Sequence, residues 1–553
     1  MTRLAIIGID GATFEIIRPM VEAGELPHIG RILREGLSGD LESEKPPMTP
    51  PAWTSMFTGL NPGKHGVFHF IRRQLGTYGC LLNDSRNYAG KDMMSLLSGR
   101  GWSVGSLSVP MTYPPFPVNE GYMVSGIPMP LSGPTIAWPP GLTDELEEVL
   151  GRPYDPDVDY APYDGDRERE IDDLADYARL RDELFRIERD RLELQKHFLR
   201  ERPTDFYFTV VSVTDRCQHY FWKFQDRSHA GWTEEGERLY GEVIKDSYRL
   251  ADDFVGEARA IIGDDVPVAL VSDHGFGPQN HDFNVNRWLE EQGFMVRRQV
   301  PYWTFGRLSL KDALGRIGLG GLGKALGPVG RIPLFKPKRK TVADSRDIDW
   351  SRTRAYAVMH GISVNLKGRE PEGIVEGEEG YRRVAGEVSE ALAKVTAPDG
   401  GSATDYSLIK EDIYSGPRTA EAPDIQFQMG GLATITKETW ETEALFTERR
   451  NAMISGQHRF NGIFALSGAG VAAARVIEDM HIQDVAPTLL YAVKEAVPIW
   501  MDGKIRGDGW DDPQEPTWDR SAEPDSTTSA AELHSPDQSA AIEESLRGLG
   551  YLQ

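Results

Sequence analysis

Cysteine is almost absent from this chain of 553 residues, which carries only Cys80 and Cys217. Two thiols in so long a chain exclude a disulfide framework and fit a reducing compartment. Also absent is any run near the ~18 consecutive apolar residues that a membrane-spanning helix needs. The opening Met1-Thr2-Arg3-Leu4-Ala5-Ile6-Ile7-Gly8-Ile9-Asp10 lacks the apolar core and small-residue cleavage site of a signal peptide, so it reads as a first strand. These absences predict a soluble, cytoplasmic protein. Positive charge is in deficit, with 61 Lys and Arg against 85 Asp and Glu and a net charge of -24. So acidic a surface disfavours broad contact with nucleic acid or anionic membrane, but it allows an anionic substrate at a site with its own field.

The length allows a large core and two or three folding units, and 40% hydrophobic residues is ordinary for a globular enzyme. Leu4 to Ile9, Trp102 to Ser108, Phe206 to Val213, Pro267 to Val271 and Gly462 to Ser467 read as buried strands. Helices are expected over Arg167 to Arg200, Glu235 to Ile262, Tyr381 to Val395 and Ile482 to Ala492. The charges of the first of these read as a solvated face. Ser363 to Lys367 is strand-like, and Pro110 to about Pro140 is rich in Pro, Gly and Met and reads as loop. No internal repeat is visible. Strands alternating with helices predict an α/β fold, a doubly wound, mostly parallel sheet with helices on both faces. Ligands of such sheets gather beyond the carboxyl ends of the strands, where Asp10, Asp215, Asp273 and His274 all fall.

Around these ends stand residues with metal-ligand chemistry. Asp215 and His219 are four apart, a spacing that puts both on one helical face. His458 lies in Ser455-Gly456-Gln457-His458-Arg459-Phe460-Asn461-Gly462. Mixed imidazole and carboxylate donors suit Zn²⁺ or Mn²⁺. Taken singly, each has a plainer role: an Asp at a strand end is commonly a turn former, and a lone His is commonly structural. Their joint placement favours a site. The candidate nucleophile is Thr49, in Pro46-Pro47-Met48-Thr49-Pro50-Pro51-Ala52-Trp53. Thr is a favoured cap and Pro a favoured first helical residue, which predicts Thr49 as the N-cap, its hydroxyl exposed beside the positive end of a helix. A threonine oxygen there is inert until a base or a metal takes its proton.

As an ordered set these motifs resemble the alkaline phosphatase superfamily, near its type I phosphodiesterase/nucleotide pyrophosphatase branch. Thr49-Pro50-Pro51 through Thr58-Gly59 to Pro62 and His65-Gly66 resembles that branch's nucleophile signature. Asp215 with His219 resembles its metal pair, Ser272-Asp273-His274-Gly275 its S-D-H-G motif, and Gln457-His458 its late His. Ile482 to Leu490, with Val497-Pro498 and Met501-Asp502-Gly503, resembles the C-terminal end of many members. The resemblance implies two divalent ions, typically zinc. By it, Asp215, His219 and His458 hold one ion, and Asp10, Asp273 and His274 hold the other, with Thr49 on the second as nucleophile. It implies a phosphohydrolase cleaving a diester or monoester through a phospho-threonine. A phosphotransferase or phosphomutase at the same site, and a metal-stabilised binding protein without turnover, are the alternatives. Thr where sulfatases carry a modified Cys or Ser argues against a sulfatase. There is one departure: the family's Asn some twenty residues beyond the nucleophile is replaced by Val67-Phe68-His69-Phe70-Ile71-Arg72-Arg73, which leaves His69, Arg72 or the backbone near Ala52 as substitutes.

The expected organisation is a catalytic core over 1–110, 200–300 and 350–505, with a helical and loop cap at 110–200 and a basic Gly/Leu-rich insertion at 300–345. Residues 307–340 carry nine Lys and Arg against Asp312 alone, which suits a lid for anions or docking on acidic lipid or a partner, or else a surface loop paired with acidic neighbours. The tail over 507–553, rich in Asp, Glu, Pro, Ser and Thr, is expected to be disordered apart from a short helix over Ala540 to Leu552. The expected partner is a small-molecule or head-group phosphate ester.

Overall fold

Leu4–Ile9 is apolar without alternation and buried along its length, the signature of a strand covered on both faces. It occupies the middle of a ten-stranded sheet in a computed structural model that describes residues 1–130, 136–160, 174–298, 348–438, 444–450, 452–524 and 536–548. Leu4–Ile9 pairs in parallel with Phe206–Val211 on one side and Val268–Val271 on the other. Beyond Phe206–Val211 come Val104–Val109 and Tyr122–Ser125, both parallel, and then antiparallel Ala137–Trp138. On the other flank Asn461–Ser467 runs antiparallel to both Val268–Val271 and Leu37–Glu42. Helices Pro27–Glu35, Leu174–Glu201, Val213–Gln225 and Val243–Ile262 pack against the sheet and one another, giving the doubly wound α/β architecture. Among the described residues no helix is long and apolar enough to cross a membrane.

Several features differ from the sequence expectation. The stretch read as a cap contributes Tyr122–Ser125 and Ala137–Trp138 to the main sheet, because its Pro and Gly content hides one short β-prone run, Tyr122-Met123-Val124-Ser125. The charges of Leu174–Glu201 are not all solvated. Glu188, Asp190 and Arg191 are buried, with Arg191 pairing with Glu188 (3.3 Å) and with Asp157 (3.3 Å) from the preceding loop. The tail past 507 is partly structured: Trp518–Asp519 pairs with Val497–Pro498, and Glu523 and Asp519 bind Lys91 and Arg100. A helix over Pro536–Gly548 buries Ile542 and Leu546. Average composition obscured these few anchoring side chains. The basic segment at 305–340 lies outside the described residues.

A second sheet was not anticipated. Ala355–Val358, Gly361–Val364, Ile425–Met429, Thr434–Lys437, His281–Asn284 and Phe446–Glu448 form it in that order, with Thr404–Ile409 paired beside Ile425–Met429. It has its own apolar core, including Phe283, Trp288, Tyr356, Ile362, Val388 and Phe427, over which helix Gly377–Leu392 lies. Residues 350–438, assigned from sequence to the catalytic core, largely build this smaller unit.

Candidate metal centre

Four chain segments end at one place. Asp10 follows the central strand, and the chain turns at Gly11 with φ +67°. A Cβ at Gly11 would lie 3.0 Å from the Phe276 ring and 3.2 Å from Asp215 Cα, so glycine is required both for the turn and for the close approach. The turn is tied to helix Val213–Gln225 by Thr214 Oγ1 donating to Asp10 O (2.6 Å) and Gln218 Nε2 donating to Gly11 O (2.8 Å). That helix carries Asp215 and His219 one turn apart, with His219 Nε2 3.5 Å from Asp215 Oδ1. Asp273 and His274 follow Val268–Val271. The next strand, Gly275–Pro278, pairs antiparallel with Gly456–Arg459, and this register places His458 opposite Phe276. His458 Nε2 then lies 3.4 Å from Asp215 Oδ1 and 3.0 Å from His219 Nε2. The His274 and His458 rings stack with centroids 3.5 Å apart.

The three imidazoles share one orientation device. His219 Nδ1 faces Gly456 O at 3.1 Å, His274 Nδ1 faces Gly275 O at 3.1 Å, and His458 Nδ1 faces Pro47 O at 2.9 Å. A carbonyl only accepts, so these contacts assign the proton to Nδ1 and leave each Nε2 with its lone pair. The Nε2 atoms of His219 and His458, 3.0 Å apart, are therefore two acceptors turned on each other. Asp10 Oδ1, Asp215 Oδ1 and Asp273 Oδ2 are buried without a hydrogen-bond partner among the described residues. Buried anionic oxygens and converging lone pairs are costly unless a cation sits among them. Titration agrees. Burial and the charge of Asp215 push Asp10 up to about 8, and burial with Asp10 pushes Asp273 well above the carboxylate range. Burial pulls His219 down to about 4 and His274 well below its ordinary value. Against the upward push of burial, His219 and His458 hold Asp215 below the usual range.

Asp215, His219 and His458 place ligand atoms within 4.8 Å of one another, and so do Asp10, Asp215 and His274. Asp215 thus belongs to both groups. Asp273 Oδ2, 3.2 Å from His274 Nε2, adjoins the second. The donor set of imidazole nitrogen and carboxylate oxygen fits zinc or manganese.

Thr49 is not the N-cap. Met48 takes that place without a side-chain hydrogen bond, and Thr49 is the first residue of helix Thr49–Thr58. Its hydroxyl is buried rather than exposed and lies 3.3 Å from His274 Nε2. Two prolines in succession left the start ambiguous by one residue.

His69 and Arg72 are separated. Ile71 N donates to His69 Nδ1 (3.3 Å), which assigns the proton of this buried ring to Nε2, an atom with no hydrogen-bond partner among the described residues. Burial and His360 keep His69 neutral, its ring 5.3 Å from that of His360. Arg72 instead sits near Arg418, Glu421, Asp84 and Arg86.

An open cleft of about 820 Å³ leads from His219 and His458 along Pro46, Pro47 and Met48. Its far wall is the second sheet, through Phe427, Gln428 and Thr434 to Lys437, with His360, Gln279 and Arg449 beside them; neither His69 nor Arg72 is in its lining. Sequence reasoning named none of these wall residues, since no local pattern announces which strands of a mixed sheet face a site.

A family model described as type I phosphodiesterase / nucleotide pyrophosphatase matches residues 4–461. Phosphonoacetate hydrolase from Sinorhizobium meliloti 1021, solved with phosphonoformate, is similar in structure at TM-score 0.53 and 14% identity, over 89% of this chain and 95% of that one. Human ectonucleotide pyrophosphatase / phosphodiesterase 5 aligns with TM-score 0.46 and 12% identity over 92% of this chain and all (100%) of that one. No curated protein sequence matches. At such identity, the likeness to the hydrolase is one of fold.

Proposed function

Because the chain belongs to the type I phosphodiesterase/nucleotide pyrophosphatase family, hydrolases of phosphoester bonds, we propose that it cleaves a phosphate ester with Thr49 as nucleophile beside two divalent ions, zinc by preference. The observation that carries this reading is the convergence of three imidazole Nε2 atoms, each oriented by a backbone carbonyl, on carboxylate oxygens that have no hydrogen-bond partner among the described residues, next to the Thr49 hydroxyl. Asp215, His219 and His458 would hold one ion, and Asp10, Asp273 and His274 the other, with Asp215 between them. When bound, such a pair supplies charge that lowers the pKa of a hydroxyl and stabilises a departing oxygen.

The chain's own groups do the rest. Helix Thr49–Thr58, buried at every residue, holds Thr49 Oγ1 in place and keeps bulk water from it. Attack by this oxygen on phosphorus forms the Thr49–phosphate bond and breaks the bond to the departing alcohol. Water then cleaves the phospho-threonine and regenerates the hydroxyl. The Nε2–H of His69 and the Nε–H of Arg72 are both buried donors without a hydrogen-bond partner among the described residues, and either would take the part of the family's missing Asn toward a phosphoryl oxygen. Cys80 and Cys217 are both free thiols, which supports a reducing, cytoplasmic setting.

The test is hydrolysis of p-nitrophenyl phosphate and bis(p-nitrophenyl) phosphate by zinc-loaded protein, with metal analysis in parallel. Turnover that vanishes in Thr49→Ala while metal stays bound supports the proposal. Undiminished turnover in that variant removes the nucleophile. Equal turnover after exhaustive chelation removes the metals. Labelled phosphate on an added alcohol instead of water would replace hydrolysis with transfer.

A further inference from the structure

The hairpin between Ala355–Val358 and Gly361–Val364 has a two-residue loop, Met359-His360, since Val358 pairs with Gly361. Both residues have positive φ, +53° and +59°. Two left-handed residues in a two-residue hairpin make a type I′ turn, which strongly prefers Asn-Gly, Asp-Gly or Gly-Gly. Methionine and histidine there carry a strain that the surroundings must hold. Met359 is held by burial in the core of the second sheet. His360 is half-exposed and lines the cleft, so packing does not account for it. It is held nonetheless: its backbone N–H donates to Glu438 Oε1 at 2.7 Å, and its ring rests against that of His69.

The cleft wall around it is largely apolar, with Gln428, Thr434 and Lys437 among its polar members. Arg449 is neutralised by both oxygens of Asp282 (2.9 and 2.8 Å). The cleft runs from His219 and His458 at the metal centre to strands of the second sheet, so it can take more of a substrate than a phosphate alone. With phosphorus at the metal centre, the cleft is left for an organic group that meets Met48 on one wall and Phe427, Gln428, Thr434 and His360 on the other.

We propose that His360 is a specificity-determining residue, contacting the second organic group of a phosphodiester and selecting groups that carry hydroxyls or other hydrogen-bonding oxygens. This rests on the phosphoester reading above. The strained turn is kept because glycine or asparagine, though easier in that backbone, would not place an imidazole in the cleft.

The test uses full-length zinc-loaded protein and three esters sharing one leaving group: p-nitrophenyl phosphate, its propyl diester and its 2,3-dihydroxypropyl diester. The two diesters match in length and differ in hydroxyls. Wild-type protein should favour the dihydroxypropyl diester over the propyl diester by about tenfold in kcat/KM, the discrimination one well-placed hydrogen bond supplies. His360→Gly and His360→Asn should bring that ratio to about one, leave the propyl diester within about twofold, and melt at or above the wild-type temperature. A structural role alone would instead lower Tm and reduce all three substrates together. That result, or a wild-type protein indifferent to the hydroxyls, overturns the inference while leaving the hydrolase reading intact. No turnover of any ester by the wild-type protein overturns both.

Discussion

The hydroxyl of Thr49 lies 3.3 Å from Nε2 of His274, a contact between the first residue of one helix and a loop 225 residues downstream. The helix starts at Thr49 rather than after it, and this places the oxygen against the imidazole. Thr49→Ala should lower kcat/KM by at least about 10³-fold, the scale seen when a nucleophile is removed. Thr49→Ser keeps the oxygen and should keep most of the rate. Steady-state kinetics with metal analysis of each variant decides the matter, and retained activity in the alanine variant would rule the nucleophile out.

Asp215 belongs to both ligand groups, whereas His219 and His458 belong to one. Asp215→Ala should therefore empty both positions, while His219→Ala should cost one equivalent of metal. Zinc at about a hundredfold its Kd should stabilise the wild type by about 2.7 kcal/mol, so chelation should lower Tm. Metal content by mass spectrometry checks the difference, and identical stoichiometry in the two variants would contradict the shared ligand.

Arg459 is a half-buried cation whose guanidinium donates to four carbonyls, those of Leu432, Gln457, His458 and Pro278. Burial lowers its pKa to about 10. Arg459→Met leaves these acceptors unpaired and should cost about 2–4 kcal/mol. Arg459→Lys should recover only part, since an ammonium cannot span the same fork. Urea melts of the three proteins provide the numbers.

Glu438 gives a pH signature. Burial raises its carboxyl from 4.5 to about 7. The folded state thus binds a proton more tightly than the unfolded chain. The associated stability is fully present below about pH 4.5 and is lost as pH rises to about 7. Glu438→Gln keeps the oxygen that accepts from His360 N and removes the titration. Its stability relative to wild type should grow by about 2–3 kcal/mol between pH 5 and 8. A difference that stays flat across that range would show that the carboxyl is not held protonated.

Much of the main sheet is legible in the sequence because its strands are unbroken apolar runs, as in Leu4–Ile9 and Phe206–Val211. Asp10, Asp215 and Asp273 can be placed from the ends of those runs alone. His458 cannot, since its position depends on a hairpin register with Gly275–Pro278 that the resemblance carries but the residues do not announce. The carbonyls of Pro47, Gly275 and Gly456 are invisible for a deeper reason: backbone acceptors leave no trace in side-chain identity. The second sheet escaped notice because strands such as Ala355–Val358 and Thr434–Lys437 are four residues long and drawn from distant segments. A strained Met359-His360 turn is likewise unreadable, since turn chemistry argues for other residues there.

Two separate apolar clusters meet at the cleft, one packing the elements that bear the six candidate ligands and the other packing the sheet opposite them. Each is stabilised by its own interior, so substitutions in one need not propagate into the other. Over evolutionary time such a molecule is free to exchange the molecules it accepts while its reacting groups stay where they are.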